Sequence, residues 1–495
     1  MRERITFVQP RGAGVDPKTL DLQEAGLLGP LIETVKEDRF TLTIDELPSD
    51  LSELLSELSE LHIRWATSVV QETLEPFASR ISPGLHLSYT PTTPDAEQIP
   101  TKICQHLRDN FGRLENCSPE ARRPDWPTGS SSKLPEFYIY EQHSDLREFS
   151  VLALRNICPE LDTICHSRVR ALENASSLDI SWDLDSSKLK VTAFWPLTEQ
   201  VINVPQSTER RTEVGVLAQD VPPNMERHEA GVSGLLTVLG ESQEPSPTLF
   251  SYPARHRVAT GTFKSSFLTP AGLHPSLQLS LDAVKKPAAE HGSCQLFTYM
   301  TLPKVIFADR YQLGDDLFLA SKNLTSLRHT TLPVDLEAPA YTTAVWGSSI
   351  LLELAPVADS WTAEVPLHLR YLRPSPTGSV NIELPYPVIF WACEADTDAS
   401  FATNPFDRRK LGYDALFSDN TVFWHVTPQS SELPQGRLVT DLKVPVLKDD
   451  VTSWIEAGTG AAVSFGFLWV LWVLFRAIMR PSARAETTAE TRKKQ

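Results

Sequence analysis

The sequence predicts a mainly β protein with an α+β N-terminal part and one C-terminal transmembrane helix, and three observations carry the prediction. Residues 258–450 alternate short apolar runs with glycine and proline, residues 1–204 mix such runs with one helical stripe, and Ala457–Phe475 holds no ionisable side chain over nineteen positions. The first pattern has the period and punctuation of strands, and the last has the length of a bilayer crossing.

In chain order, Ile5–Gln9, Arg39–Ile44 and Leu85–Tyr89 are β-prone runs bounded by Pro, Gly or Asp. Leu51, Leu54, Leu55, Leu58 and Leu61 recur at helical spacing and predict one core-facing helix, with Ser49 and Asp50 as caps. Glu115–Lys133 is polar, proline-bearing and serine-rich, a loop. Leu178–Leu184 and Lys188–Trp195 alternate on either side of Asp185, Ser186 and Ser187, which predicts a hairpin. Residues 205–257 gather Pro, Ser and Glu and read as a linker, interrupted by a strand at Leu235–Leu239, that divides the chain in two. Beyond it Leu277–Leu281, Cys294–Leu302, Ile350–Leu354, Val365–Tyr371 and Val388–Trp391 predict an antiparallel, sandwich-like domain over 258–450.

At about 1.5 Å per residue the apolar run Ala457–Phe475 spans about 28 Å, one bilayer crossing. The tail 476–495 carries Arg476, Arg480, Arg484, Arg492, Lys493 and Lys494, against three basic residues in the twenty before the helix. Basic flanks stay cytosolic, so the tail faces the cytosol and the bulk of the chain is lumenal. Glu486 and Glu490 interleave with these charges, which fits a topology signal better than a lipid-binding patch. The opening MRERITFVQPRGAGVDP lacks the apolar core of a signal peptide, so a tail-anchored protein with a cytosolic domain stays open as the alternative. Within the helix, Gly458, Ala462 and Gly466 repeat every four residues, a small-residue stripe that would let another helix approach, or simply a weakly apolar half. Trp469 and Trp472 stand toward the cytosolic end as interfacial anchors.

A net charge of −17, with no Lys/Arg cluster visible outside the tail, argues against nucleic acid as a partner. Cys104, Cys117, Cys158, Cys165, Cys294 and Cys393 show no metal-ligand spacing. They allow fifteen full pairings, and disulfides and buried thiols both remain open. Sequons stand at Asn116, Asn174 and Asn323; Ser118-Pro119 hinders the first, so Asn174 and Asn323 are the better glycosylation sites. Asp183-Leu184-Asp185 and Asp396-Thr397-Asp398 have the form of the D-x-D pairs that hold a metal beside a sugar phosphate, but two such pairs are no more than chance supplies in a chain this rich in aspartate. No hydrolase elbow, zinc-protease, phosphate-loop or dinucleotide motif occurs, and a lone histidine such as His368 reads as a satisfied core residue. Neither a catalytic residue nor a cofactor or metal site is predicted.

Six stretches in order carry a resemblance: Gly272–Leu281, Cys294–Leu313, Val334–Tyr341, Val365–Pro374, Pro385–Asp396 and the terminal helix. Together they resemble the PIG-X family and its fungal protease-B-nonderepressible members, whose N-terminal extension residues 1–204 resemble. The resemblance implies a non-catalytic subunit of the endoplasmic reticulum membrane that stabilises a polytopic mannosyltransferase, the enzyme adding the first mannose to the glycosylphosphatidylinositol precursor. The fungal members also suggest a broader folding factor for lumenal and membrane proteins. By the same resemblance Cys294 and Cys393 are the pair to test for a disulfide, and Leu367–Pro374, with Arg370 and Tyr371, supports the fold.

Overall fold

The computed structural model describes residues 1–93, 98–117, 136–156, 158, 162–226, 228–287, 293–331, 335–343, 347–395, 401, 404–430 and 436–479. Eleven strands build a first sheet: β1 Arg2–Gln9, β2 Asp21–Gln23, β3 Gly26–Thr43, β4 Leu58–Ala66, β5 Gly84–Pro91, β6 Phe137–Glu141, β7 Ser177–Asp183, β8 Lys188–Pro205, β9 Arg211–Asp220, β10 Glu229–Val238 and β11 Ser246–Pro253. Their order is β11-β10-β9-β1-β3-β8-β7-β4-β5-β6, with β2 paired to β3. The spine is the antiparallel pair β3 and β8, in register from Gly26↔Pro205 to Thr43↔Lys188 apart from two bulges. Strand β1 bridges antiparallel β3 and parallel β9.

The hairpin expected around Asp185 is β7–β8, closing at Asp183↔Lys188 with Ser187 at φ 49°. The leucine stripe is split. Helix α1 takes Ser49–Ser56, whereas Leu58 and Leu61 belong to β4. A register shift between Leu58 and Glu60 lets two residues three apart both face the core, so the spacing that reads as helical is met by a bulged strand.

Residues 205–257 do not form a linker. They carry β9, β10 and β11, and β9 and β10 pair from Val238↔Glu213 to Gly231↔Asp220. Pro222, Pro223, Ser242, Glu244 and Pro245 occupy the turns between these strands, while Val214, Val216, Val232 and Leu235 point into the core.

Eight strands form a second sheet, ordered β16-β17-β14-β21-β22-β12-β13-β18. It draws on β12 His256–Phe267, β13 Ser276–Asp282, β14 Cys294–Pro303, β16 Leu324–Thr330, β17 Gly347–Leu354, β18 Trp361–Pro366, β21 Val388–Glu394 and β22 Thr421–Pro428. Two-stranded pairings join β15 Ile306–Phe307 to β19 His368–Leu369, and β20 Ser379–Pro385 to β23 Val439–Pro445. The run expected at Val365–Tyr371 is thus broken between β18 and β19, at Leu367. Neighbours pair antiparallel except β12 with β22, which is parallel.

Residues 1–371 and 382–442 make one compact unit, so both sheets share a body across the expected division. Helices α2 Ile99–Phe111, α3 Arg147–Asn156 and α4 Thr163–Ala171 are carried by the first half of the chain. Leu54, Leu55, Ile103, Leu107, Phe111 and Phe149 from the helical side pack on Trp65, Leu87, Leu178, Trp182 and Leu189 of the sheet. Where the sheets meet, Tyr138 and Tyr140 of β6 join Phe297, Tyr299, Val388, Phe390, Tyr413 and Phe423. The Tyr413 and Phe390 rings lie 4.7 Å apart, and the Tyr413 hydroxyl donates to Arg80 O at 2.8 Å. Such ring pairs add about 0.5–1.5 kcal/mol beyond the area they bury. Helix α5, Asp316–Ala320, is a single turn capped by the Asp315 carboxylate. A second, smaller unit consists of 372–381 and 443–495; in it Ser375 bridges Lys448, and helix α6, Asp449–Met479, follows.

Candidate functional site

Two features stand out, the terminal helix and a charged cleft in the first sheet. Helix α6 is 31 residues long with a mean hydropathy of 1.9 over its apolar window, and among the described residues it is the one helix long and apolar enough to cross a membrane. Every side chain from Ser453 to Met479 is exposed. Asp449 and Asp450 in the first turn complement the helix dipole. The Trp469 and Trp472 rings lie 5.2 Å apart, and the Arg476 guanidinium sits 4.7 Å from the Trp472 ring centroid. Gly458, Ala462 and Gly466 are exposed, and nothing stands within 4 Å of a Cβ built on either glycine. The tail from Arg480 lies outside the described residues.

All six cysteines are bonded: Cys104 to Cys117, Cys158 to Cys165, and Cys294 to Cys393. Cys294 and Cys393 stand opposite each other in the β14–β21 register, with Cα atoms 4.1 Å apart. Of the sequons, Asn174 is exposed in a short 3₁₀ turn. Asn323, at φ 56°, donates from its amide to Thr362 O at 2.7 Å. Asn116 is half-buried: its amide donates to Tyr140 O at 3.2 Å and its backbone N–H to the Glu141 carboxylate at 2.7 Å.

The cleft follows from strand alternation. Leu178, Trp182 and Leu189 face the helices, so Asp179, Ser181, Lys188, Lys190 and Thr192 take the other face. Residues 404–410 cross that face and are held by charge. Arg4 and Arg39 donate to Pro405 O at 2.9 and 2.6 Å, and both pair with Glu37. Arg408 Nε donates to Asp179 at 2.6 Å, Arg64 donates to Lys410 O at 2.6 Å, and Lys410 Nζ lies 3.1 Å from Glu60. The Asp414 carboxylate fixes the segment's far end, accepting the N–H groups of Lys410 and Leu411 at 2.8 Å each. What remains is a cleft of about 650 Å³ lined by nine cationic and five anionic side chains.

That cleft corrects the reading that basic residues cluster only in the tail. Arg4, Arg39, Arg64, Lys190 and Arg408 are scattered over four hundred residues of sequence; strand register brings the first four together, and the crossing segment adds Arg408. The one signal in the sequence is that Lys188, Lys190 and Thr192 alternate with apolar residues inside a hairpin.

On the opposite face of β3 a second cavity of about 640 Å³ is lined by Phe40, Phe149, Ile164, Val169 and Trp195, with Lys36 and Asp38 in its wall. Burial pushes the Asp38 carboxyl up to about 6 against the pull of Lys36. Asp183 caps its own turn, accepting from Asp185 N at 3.0 Å, and Asp396 and Asp398 lie outside the described residues. His368 is held by His274 at 2.9 Å and Gln312 at 3.0 Å. Arg370 donates to Ala338 O at 2.8 Å and lies over the Phe307 ring, while Tyr371 is exposed. Among the described residues no group of three or more His, Cys, Asp or Glu is placed to hold a metal ion.

Comparison with known proteins gives a consistent family. The PIG-X / PBN1 family model matches residues 270–475. Protein PBN1 of Gibberella zeae is 51% identical, covering 100% of this chain and 99% of its own. Protein pbn1 of Neurospora crassa is 46% identical with 98% of both chains covered, and that of Emericella nidulans is 37% identical with 96% and 95% covered.

Proposed function

This chain belongs to the PIG-X / PBN1 family, and on that premise we propose that it is a non-catalytic, single-pass subunit that stabilises the polytopic mannosyltransferase adding the first mannose to the glycosylphosphatidylinositol precursor in the endoplasmic reticulum. The observation that carries the reading is one exposed apolar helix attached to a large β-rich body. A transferase acting on a polyprenyl-linked donor works within many membrane helices, and the described part of this chain offers one. The three disulfides favour an oxidising lumen for the β-rich body, with the basic tail cytosolic. The small-residue face at Gly458, Ala462 and Gly466 is the surface on which the partner's helix would pack.

The test is purification of the complex in mild detergent, joined to depletion of the protein. Co-purification of a polytopic mannosyltransferase, with loss of the first mannose while other secretory cargo stays intact, is the expected result. General degradation of secretory cargo, with no such companion, would replace this reading by that of a broader folding factor.

A further inference from the structure

The chain carries a net charge of −17, yet one row of the first sheet is the reverse. Strand register aligns Arg2, Thr41, Lys190, Ser181 and His62, one residue from each of β1, β3, β8, β7 and β4, on the face that forms the cleft. That row contains no carboxylate, and among the described residues only Arg2 at its end is paired, with Glu213 of β9 at 2.7 Å.

The carboxylates in the neighbouring rows are already engaged. Asp179 is bound by Arg408 and lies 3.5 Å from Arg64. Glu37 is bound by Arg4 and Arg39, and Glu60 by Lys410. Asp183 accepts from its own turn, at Asp185 N and Ser186 Oγ. Asp407 is buried beside Arg409. Among the described residues neither Lys188 nor Lys190 has a carboxylate within ion-pair distance. Burial and repulsion from Arg39, Lys188 and Arg409 lower the affinity of Lys190 for its proton, opposed only in part by Asp183. At the end of the row the Nδ1 of His62 is buried with no hydrogen-bond partner. An anion seated beside Lys190 would offset the repulsion from Arg39, Lys188 and Arg409 there.

We propose that the middle of this row, Thr41, Lys190 and Ser181 on the adjacent strands β3, β8 and β7, is a binding site for a small phosphate ester. Lys190 supplies a central point charge, and the Thr41 and Ser181 hydroxyls on either side supply donors, an arrangement suited to the several acceptor oxygens of a doubly charged oxyanion. A single carboxylate would leave donors and charge unused. The cleft volume of about 650 Å³ leaves room for the esterified alcohol as well as the phosphate. This inference stands on the sheet's register and charge, independently of the role in mannosyl transfer.

The experiment uses the full chain in nanodiscs of neutral phospholipid. Glycerol 3-phosphate is titrated by calorimetry, and a parallel arm measures capture by vesicles of phosphatidylcholine with phosphatidic acid, which presents the same phosphomonoester on a lipid. The expected result is saturable binding of one of the two that weakens at least tenfold in Lys190→Gln, survives within threefold in Lys190→Arg, and weakens in Thr41→Val. Binding of the soluble ester identifies a free metabolite, and capture by the vesicles alone identifies a lipid headgroup; both support the site. Absence of either, or binding indifferent to Lys190→Gln and Thr41→Val, overturns it. Circular dichroism of these variants is expected to match the parent.

Discussion

Replacing both members of each disulfide by alanine, one pair at a time, gives a series whose order is set by chain topology. The bonded cysteines are 7 residues apart for Cys158–Cys165, 13 for Cys104–Cys117 and 99 for Cys294–Cys393. Loop-closure entropy then gives losses of roughly 2.4, 3 and 4.7 kcal/mol, because the open chain gains more freedom when a longer loop is released. The third pair also joins the adjacent strands β14 and β21, next to the Phe390 cluster, so its removal loosens the second sheet at its centre. The assay is guanidinium unfolding of the full chain in mild detergent, followed by tryptophan fluorescence, with non-reducing gel mobility to verify which bond has gone. The expected order of midpoints is Cys158/Cys165 highest and Cys294/Cys393 lowest. If the Cys158/Cys165 variant loses as much stability as the Cys294/Cys393 variant, loop length is not what governs these bonds, and the reasoning fails.

The buried pair His256 and His425, with ring nitrogens 3.0 Å apart, predicts acid sensitivity. Burial, then the Arg255 charge, lowers His256 to about 3, and burial holds His425 well below its usual value. The unfolded chain takes up these protons near pH 6.5 and the folded one does not, so stability is complete above pH 6.5 and falls on acidification, by about 2 kcal/mol at pH 5 for His256, with His425 acting in the same direction. Unfolding midpoints at pH 7, 6 and 5 are expected to fall less steeply in His256→Asn. For the membrane helix, changing Gly458, Ala462 and Gly466 to leucine is expected to leave the unfolding of the β-rich body unchanged and to reduce co-purification of the polytopic partner; undiminished co-purification removes the packing role. For the sequons, endoglycosidase treatment of protein made in a fungal host is expected to shift mobility, with Asn174→Gln and Asn323→Gln each removing part of the shift and Asn116→Gln none. A parent protein with no shift removes that support for a lumenal body.

The sequence disclosed what is local. Apolar alternation located β7, β13, β14 and β21 to within a few residues and the first half of β8, which runs on ten residues past Trp195, and an uninterrupted apolar run located α6. It misled where one spacing serves two structures, as at Leu58 and Leu61, and where composition in turns masked strands, as across β9–β11. The cleft was out of reach because it is a product of register. Lys190 becomes a neighbour of Thr41 and Ser181 only once β3, β8 and β7 pair, and Arg408 reaches Asp179 from 229 positions along the chain.

Two parallel pairings in the large sheets, β1 with β9 and β12 with β22, set a schedule for the chain's own birth. A hairpin such as β7–β8 can close as soon as it is made. Strand β1 must wait for a partner some two hundred residues later, roughly 10 to 40 seconds at ordinary synthesis rates. During that interval Ile5, Phe7 and Val8, buried in the finished protein, have only part of their neighbours. The second sheet waits in the same way, for β22, and the segment that closes the cleft is made only shortly before it. The first sheet can therefore close once residue 253 is made, whereas the second closes only when β22 follows, shortly before the membrane helix itself is synthesised.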